Sequence, residues 1–448
     1  MSDQLRRWLR WLTPGIGIKR WGLLIGLGLL LFGAGFSLLA EVGVLAAYEA
    51  AVERLAGRAG EATGGRLTPL WLGTLGLGAG LALVALGLRG VLRSIDRVLF
   101  PSGSTTIVEE LRERRRRRRG LHVVALGGGT GLATLLRGLK HHTSNITAVV
   151  TVFDDGGSSG RLRRELGILP PGDIRHCLVA LAESEPLMTR LFEYRFKGGA
   201  LDGHAFGNLF IASLTGVTGD VEMAVKETSK VLNIRGRVLP ATGHDVVLVA
   251  QFEDGGVVEG ESNITAARRR IRRVFLRPDE VYPLPEVLEA IAEADLIVIG
   301  PGSLYTSVIP TLLVRGIAEA IREAQVPCVY VCNVMTQPGE TDGYTAADHV
   351  RAIHAHAGAA LFGHVLVNTT PPRNRALLDR YADQGSRPVD PALEELEAMG
   401  LAPLGAGLMS EAELLRHDPL RLAAAVLRVM GAAGRPAPDR RMPVAGRP

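Results

Sequence analysis

Two long apolar runs and a series of short ones divide the chain. From Trp21 to Ala40 no residue is charged, and Leu67 to Leu88 is likewise free of charge. Each run, at about 20 residues, is long enough to cross a hydrocarbon core about 30 Å thick as a helix. A buried helix of a soluble protein is rarely this long or this apolar on every side. The pattern predicts two spans, at about residues 21–41 and 67–89, forming a transmembrane hairpin over residues 1–98. A cleaved signal peptide does not explain the first run, which is too long for a signal core, and the second span would hold the chain in any case. Arg6, Arg7, Arg10, Lys19 and Arg20 precede the first span, and Arg89, Arg93, Arg97 and Arg114–Arg119 follow the second. The intervening loop offsets Arg54, Arg58 and Arg66 with Glu49, Glu53 and Glu61. The positive-inside rule then predicts a multi-pass cell-membrane protein with both termini in the cytoplasm.

Past Gly120 the pattern changes. Short Val, Ile and Leu runs alternate with helical stretches, as in an α/β domain whose parallel sheet is covered on both faces. Candidate strands are Leu121–Leu126, Ile146–Phe153, Val246–Phe252, Leu296–Ile299, Cys328–Cys332 and His364–Val367. Most are followed at once by Gly, Asp or Asn. Ligands of open α/β sheets sit beyond the carboxyl ends of the strands, so these residues should gather at one site.

Charge sharpens this division. Residues 1–120 hold 18 of the 51 Lys and Arg and 9 of the 46 Asp and Glu, so the rest of the chain is mildly acidic. The net charge of +5 is therefore poor evidence for nucleic acid, and no nucleic-acid partner is expected. The polybasic linker, residues 99–120, carries Arg114–Arg119. It reads either as a patch on anionic membrane lipid or as a solvated spacer. Cys177, Cys328 and Cys332 form no metal-ligand pattern and read as buried thiols. Residues 433–448, rich in Pro, Arg and Ala, read as a disordered tail.

Five loops carry candidate chemistry. Gly127, Gly128, Gly129, Thr130 and Gly131 follow a strand and open a helix, an arrangement that aims backbone N–H groups at a phosphate. The spacing fits neither a dinucleotide fingerprint nor a Walker loop, and a tight turn would also explain it. Asp154-Asp155-Gly156-Gly157-Ser158-Ser159 offers two carboxylates and two hydroxyls. Asp154 and Asp155 suit Mg²⁺ or a sugar hydroxyl, with an Asx turn as the plainer account. Asp173 reads as a helix cap, or with Arg175 and His176 as part of an anion site. Asn208 is a ligand donor or an N-cap. Gly300-Pro301-Gly302-Ser303 repeats the first cradle, and Tyr305 beyond it is a candidate stacking ring. Asn333 and Asn368 end later strands.

In this order the motifs resemble the bacterial gluconeogenesis factor family (YvcK-type), within the 2-phospho-L-lactate transferase superfamily. The matching runs are Ala125–Gly131, Asp154–Ser159, Pro171–Arg175, Gly203–Asn208 and Gly300–Ser307. The resemblance covers about residues 121–430, within a cytosolic domain of residues 121–432, and leaves the hairpin outside. It implies a Rossmann-like three-layer domain that binds UDP-sugars, above all UDP-N-acetylglucosamine, without a required cofactor. It also implies regulation that links gluconeogenic carbon metabolism to cell-wall precursor synthesis and cell shape. Family ligand residues match Tyr381 and Arg416, a ring suited to uracil and a fork suited to diphosphate. Some members are phosphorylated on a C-terminal Thr, but this chain has none after Thr370.

Two activities follow as expectations. The first is a membrane-anchored, non-catalytic regulator, homo-oligomeric, whose partners are cell-wall precursor enzymes or morphogenesis proteins. The second is a phospholactyl-type transferase using a nucleotide-activated donor and Mg²⁺ at Asp154 or Asp155. A nicotinamide oxidoreductase is disfavoured by the glycine spacing.

Overall fold

The computed structural model describes residues 18–40, 69–99, 119–183, 186–412 and 414–432, with a few isolated positions between them. It divides into two compact units, residues 1–114 and 115–448.

The first unit contains α1 (Ile18–Ala40) and α2 (Pro69–Leu99). Within them Trp21–Leu38 and Leu70–Val91 are long and apolar enough to cross a membrane. The two helices pack small residues inward and large apolar ones outward. A Cβ on Gly80 would stand 2.4 Å from the Phe32 nitrogen, and one on Gly35 would stand 2.5 Å from the Gly73 carbonyl. Leu23 and Trp71 are 76% and 61% exposed. In lipid, Leu gains nothing by turning inward, so close backbone approach at glycine becomes the source of attraction. Of the expected lipid patch at Arg114–Arg119, Arg114, Arg115, Arg116 and Arg118 lie outside the described residues, and the expected disordered tail lies wholly outside them.

The second unit is built on strands β1 (Val123–Gly127), β2 (Ile146–Val150) and β3 (Arg237–Pro240), then β4 (Val247–Phe252), β5 (Val257–Glu259) and β6 (Ile271–Arg277). There follow β7 (Leu296–Ile299), β8 (Cys328–Val331), β9 (His364–Asn368), β10 (Ala402–Ala406), β11 (Met409–Ser410) and β12 (Arg416–His417). Seven of these form one sheet in the order β10-β9-β8-β7-β1-β2-β3, and every neighbouring pair is parallel. Both faces are covered by helices, which is why β1, β2 and β7 are buried at every position and read as unbroken apolar runs. The fold is α/β and Rossmann-like, as expected.

Val246–Phe252 is a correction. Its strand, β4, belongs to a separate antiparallel sheet, β5-β4-β6, inserted before β7. The short edge strands β3 and β10 of the main sheet went unrecognised. Ile146–Phe153 leaves the ladder at Val150, so Thr151–Asp154 is already loop. Cys177, Cys328 and Cys332 are free and buried, as expected.

The helices that concern the site are α3 (Gly129–Leu139), α4 (Gly157–Leu166), α5 (Gly172–Leu181) and α6 (Phe206–Thr218). Later in the chain come α7 (Glu261–Ala267), α8 (Arg375–Asp383) and α9 (Pro419–Ala432). The chain runs outward from β1 to β2 and β3, then returns to the other side of β1 as β7. The strand order therefore reverses between β1 and β7, the place where such sheets open a crevice.

Candidate functional site

A cavity of about 500 Å³ lies at that reversal. Gly128–Gly131 line it from the end of β1, and Pro301–Ser303 from the end of β7. The two loops touch: a Cβ on Gly131 would stand 2.6 Å from the Pro301 carbonyl oxygen. Gly128 is the N-cap of α3, so the free N–H groups of that helix and the positive end of its dipole are delivered to the cavity. Gly128 also has a packing reason to be glycine. A Cβ there would meet Thr151 Cγ2 at 2.1 Å and Asp173 Oδ2 at 2.5 Å. Asp154, Asp173, Asn333, Tyr381 and Arg416 complete the set of sequence candidates in the lining.

The floor is acidic. Asp154 Oδ1 accepts the Gly156 N–H at 2.9 Å. Burial raises its pKa, and the Asp173 and Asp155 charges add to the rise. Glu261, the first residue of α7, also lines the cavity. Burial, then the Asp154 and Asp173 charges, push its carboxyl up to about 8. At neutral pH Glu261 is therefore mostly protonated, while the unfolded chain would ionise it near pH 4.5. Between those values the folded state binds the extra proton, so stability falls as pH rises and the full penalty is present above about pH 8. Glu261→Gln is expected to lie close to the native protein at pH 4.5 and to exceed its stability by about 4 kcal/mol at pH 8.5, at about 1.4 kcal/mol per pH unit between 4.5 and about 8. Denaturant melts at the two pH values check this; an equal offset at both would remove Glu261 as the cause.

The other candidates lie outside the lining. Gly127 and Gly300 shape the loops behind it, both with positive φ. Asp155 turns away to accept the Ser262 N–H at 2.8 Å. Ser158 and Ser159 are buried, and both accept from the Asn208 amide, at 3.1 and 3.4 Å. Ser158 also meets His204 Nδ1 at 3.1 Å. Ser159 in turn hydrogen-bonds Asp154, so this group orients a cavity carboxylate from behind. Asn208 is not the cap, since the N-cap of α6 is Ala205. Arg175 is 3% exposed, with its guanidinium on His176 Nε2 at 2.6 Å and the Phe192 carbonyl at 3.5 Å. Tyr305 is 3% exposed and bonded to the Tyr344 hydroxyl, so it offers no stacking face. Asp173 makes no cap; the N-cap of α5 is Pro171. Asn368 is spent on its own turn and on the Leu408 N–H.

The structure adds lining residues that sequence reasoning missed, among them Thr151, Glu261, Gln337, Gln384, Ser386 and His417. Gln337 lies four residues past Asn333, so following the loop beyond β8 would have reached it. Glu261 arrives from the inserted sheet, and no local pattern announces it. Burial lowers the pKa of His417 to about 4, so that ring is neutral.

Comparison with known proteins bears on this geometry. Residues 123–409 match the sequence model of the family described as 2-phospho-L-lactate transferase CofD. A putative gluconeogenesis factor from a Nostoc species is 48% identical over 437 residues, covering 96% of this chain and 94% of that protein. The chain belongs to the gluconeogenesis factor family, within the CofD superfamily.

The relatives compared align with this chain to two extents. The gluconeogenesis factor of Bacillus subtilis is 52% identical but aligns with only 69% of this chain while using 98% of its own. A putative member from Deinococcus radiodurans, 42% identical, covers 95% of this chain and 90% of its own. A crystal structure of a Bacillus halodurans protein superposes with a TM-score of 0.67 at 51% identity, over 69% of this chain and 99% of that one. The second unit thus has the extent of a whole shorter gluconeogenesis factor, and the apolar hairpin belongs to the longer form.

Proposed function

We propose that this protein is a membrane-anchored, cytosol-facing sensor of UDP-N-acetylglucosamine that ties gluconeogenic carbon supply to cell-wall precursor synthesis and cell shape. The observation that carries it is the cavity itself: the N-terminus of α3 opens on one side and Tyr381 with Arg416 on another. A diphosphate suits the helix terminus and the arginine fork, and a uracil suits the tyrosine ring.

Acidity qualifies this arrangement. Asp154 and Asp173 face the same space, beside Glu261, which is mostly protonated at neutral pH. Among the described residues none of the three has an ion pair to Lys or Arg, and only His176 comes within 3.8 Å of Asp173. A bare diphosphate would be repelled there, so a divalent cation fits. No group of three His, Cys, Asp or Glu side chains converges on a metal position among the described residues. That favours Mg²⁺, which takes one or two carboxylates and draws its other oxygens from phosphate and water. Asp154 and Asp173 would hold it, and when bound it would offset the phosphate charge. The chain's own groups do the rest: α3 presents its N–H donors, Arg416 adds a fork, and the Ser158–Asn208–Ser159 group keeps Asp154 in place.

The same carboxylates support a second reading, a phospholactyl-type transferase, which the name of the matched family also favours. Calorimetric titration of the detergent-solubilised chain with UDP-N-acetylglucosamine, with and without Mg²⁺, separates the two. The sensor reading expects saturable binding with the ligand recovered intact. Consumed ligand, or no binding with Mg²⁺ present, overturns it.

A further inference from the structure

A buried carboxylate behind the cavity wall has no role in the reading above. Glu340 lies in the loop after β8 and is 5% exposed. Its Oε2 accepts the Tyr305 N–H at 3.3 Å. Its Oε1 accepts the Thr306 hydroxyl at 3.2 Å and the Thr265 hydroxyl at 3.4 Å. These donors come from two separate parts of the fold. Tyr305 and Thr306 belong to the π-helical turn Leu304–Val308 that follows the second glycine loop, and Thr306 and Ser307 line the cavity. Thr265 belongs to α7, the helix of the inserted sheet whose first residue, Glu261, lines the cavity as well.

The loop that carries Glu340 runs like a strap along the second glycine loop. Asn333 Nδ2 donates to the Gly302 carbonyl at 2.7 Å, and Gln337 Nε2 donates to Ser303 Oγ at 2.7 Å. At its far end the strap presses on α7. A Cβ on Gly339 would stand 2.8 Å from the Thr265 carbonyl oxygen and 3.3 Å from Arg268 Cα. A carboxylate buried without a cation is costly, and its retention needs a reason other than packing, since an apolar side chain would fill the space more cheaply. What Glu340 offers is acceptors that reach two elements at once. The Tyr305 N–H, at the start of its turn, is a donor that no carbonyl of its own segment serves. π-Helical turns concentrate at functional sites, and this one forms part of the cavity wall.

We propose that Glu340 is a positioning residue that couples two walls of the cavity: it ties the Leu304–Val308 turn to α7, so that a ligand on one wall is registered by the β5-β4-β6 sheet. The nucleotide-sugar reading supplies only the identity of the ligand. The coupling makes the inserted sheet the part of the unit that reports occupancy, because α7 is its link to the cavity.

Hydrogen exchange of the full chain in detergent, without ligand, tests the coupling directly. Glu340→Ala is expected to speed exchange about tenfold in both 304–308 and 261–267, segments far apart in sequence. Glu340→Gln keeps one acceptor oxygen for the Tyr305 N–H and turns its amide N–H groups to the Thr306 and Thr265 hydroxyls, which can accept them, so it is expected to hold both segments within about threefold of the native protein. The proposal is overturned if Glu340→Ala leaves either segment unchanged, if acceleration spreads evenly over the unit, or if Glu340→Gln exchanges as fast as Glu340→Ala. A second arm adds UDP-N-acetylglucosamine. Protection of 261–267 in the native protein, lost in Glu340→Ala and restored in Glu340→Gln, extends the coupling to that ligand. No binding to the native protein would overturn the UDP-sugar reading, while the ligand-free arm still decides the coupling.

Discussion

Arg416→Ala is expected to weaken UDP-N-acetylglucosamine binding by about 10- to 100-fold, or about 1.5–3 kcal/mol, the scale of a hydrogen bond to a charged group. Arg416 is the only Lys or Arg among the described residues that line the cavity. It sits on the two-residue strand β12, paired with Ser410 of β11, and is exposed. Nothing in the core leans on it, so the variant should fold normally and lose only ligand affinity. Arg416→Lys keeps the charge but not the planar fork, and intermediate affinity is expected. Titration calorimetry on both variants reads the result. Native affinity in a folded Arg416→Ala protein would take the residue out of the site and with it the diphosphate orientation argued above.

Gly138→Ala should cost roughly 2–3 kcal/mol of stability, the scale of overpacking. In a helix interior this change normally stabilises by up to about 1 kcal/mol, because glycine loses more backbone entropy on folding. Here the sign reverses. A Cβ on Gly138 would stand 1.9 Å from the Pro419 carbonyl oxygen and 2.7 Å from Ala423 Cβ, so α3 and α9 would have to part. Gly216, within α6, provides the control, since a Cβ there meets nothing within 4 Å. Gly216→Ala is expected to be neutral or slightly stabilising. Urea unfolding of the two variants measures the difference; equal stabilities would mean that α3 and α9 separate without penalty.

The strands that carry the site were legible because parallel strands buried on both faces must be apolar throughout. β1, β2, β7, β8 and β9 stood out for that reason, as did the glycines that end β1 and β7. β4 was equally apolar but pairs elsewhere, and nothing within its six residues says which sheet it joins. β3 and β10 are short edge strands, and β10 is only partly buried, so the run of large apolar residues is missing there. The polar loops misled in a consistent way. Asp154 and Asp155 are adjacent, yet one faces the cavity and the other the inserted sheet. Ser158, Ser159 and Asn208 look like ligand donors from composition, but the Asn208 amide nitrogen donates to both serine hydroxyls inside the fold. A sequence shows which polar groups a loop contains and not which of them find partners before a ligand arrives. Glu261 and Glu340 could be found only once the inserted sheet had been placed against the cavity.

The cavity takes its walls from Gly128 near one end of its unit and from Arg416 and His417 near the other. Domains generally fold as units during synthesis. The first glycine loop is synthesised early, while the wall bearing Arg416 exists only when nearly the whole unit has left the ribosome. A ligand that needs both walls cannot stabilise a nascent or C-terminally truncated chain. It stabilises finished molecules alone, by mass action. Ligand supply in the cell would then set the abundance of the complete protein as well as its state, and truncated products would remain exposed to proteolysis.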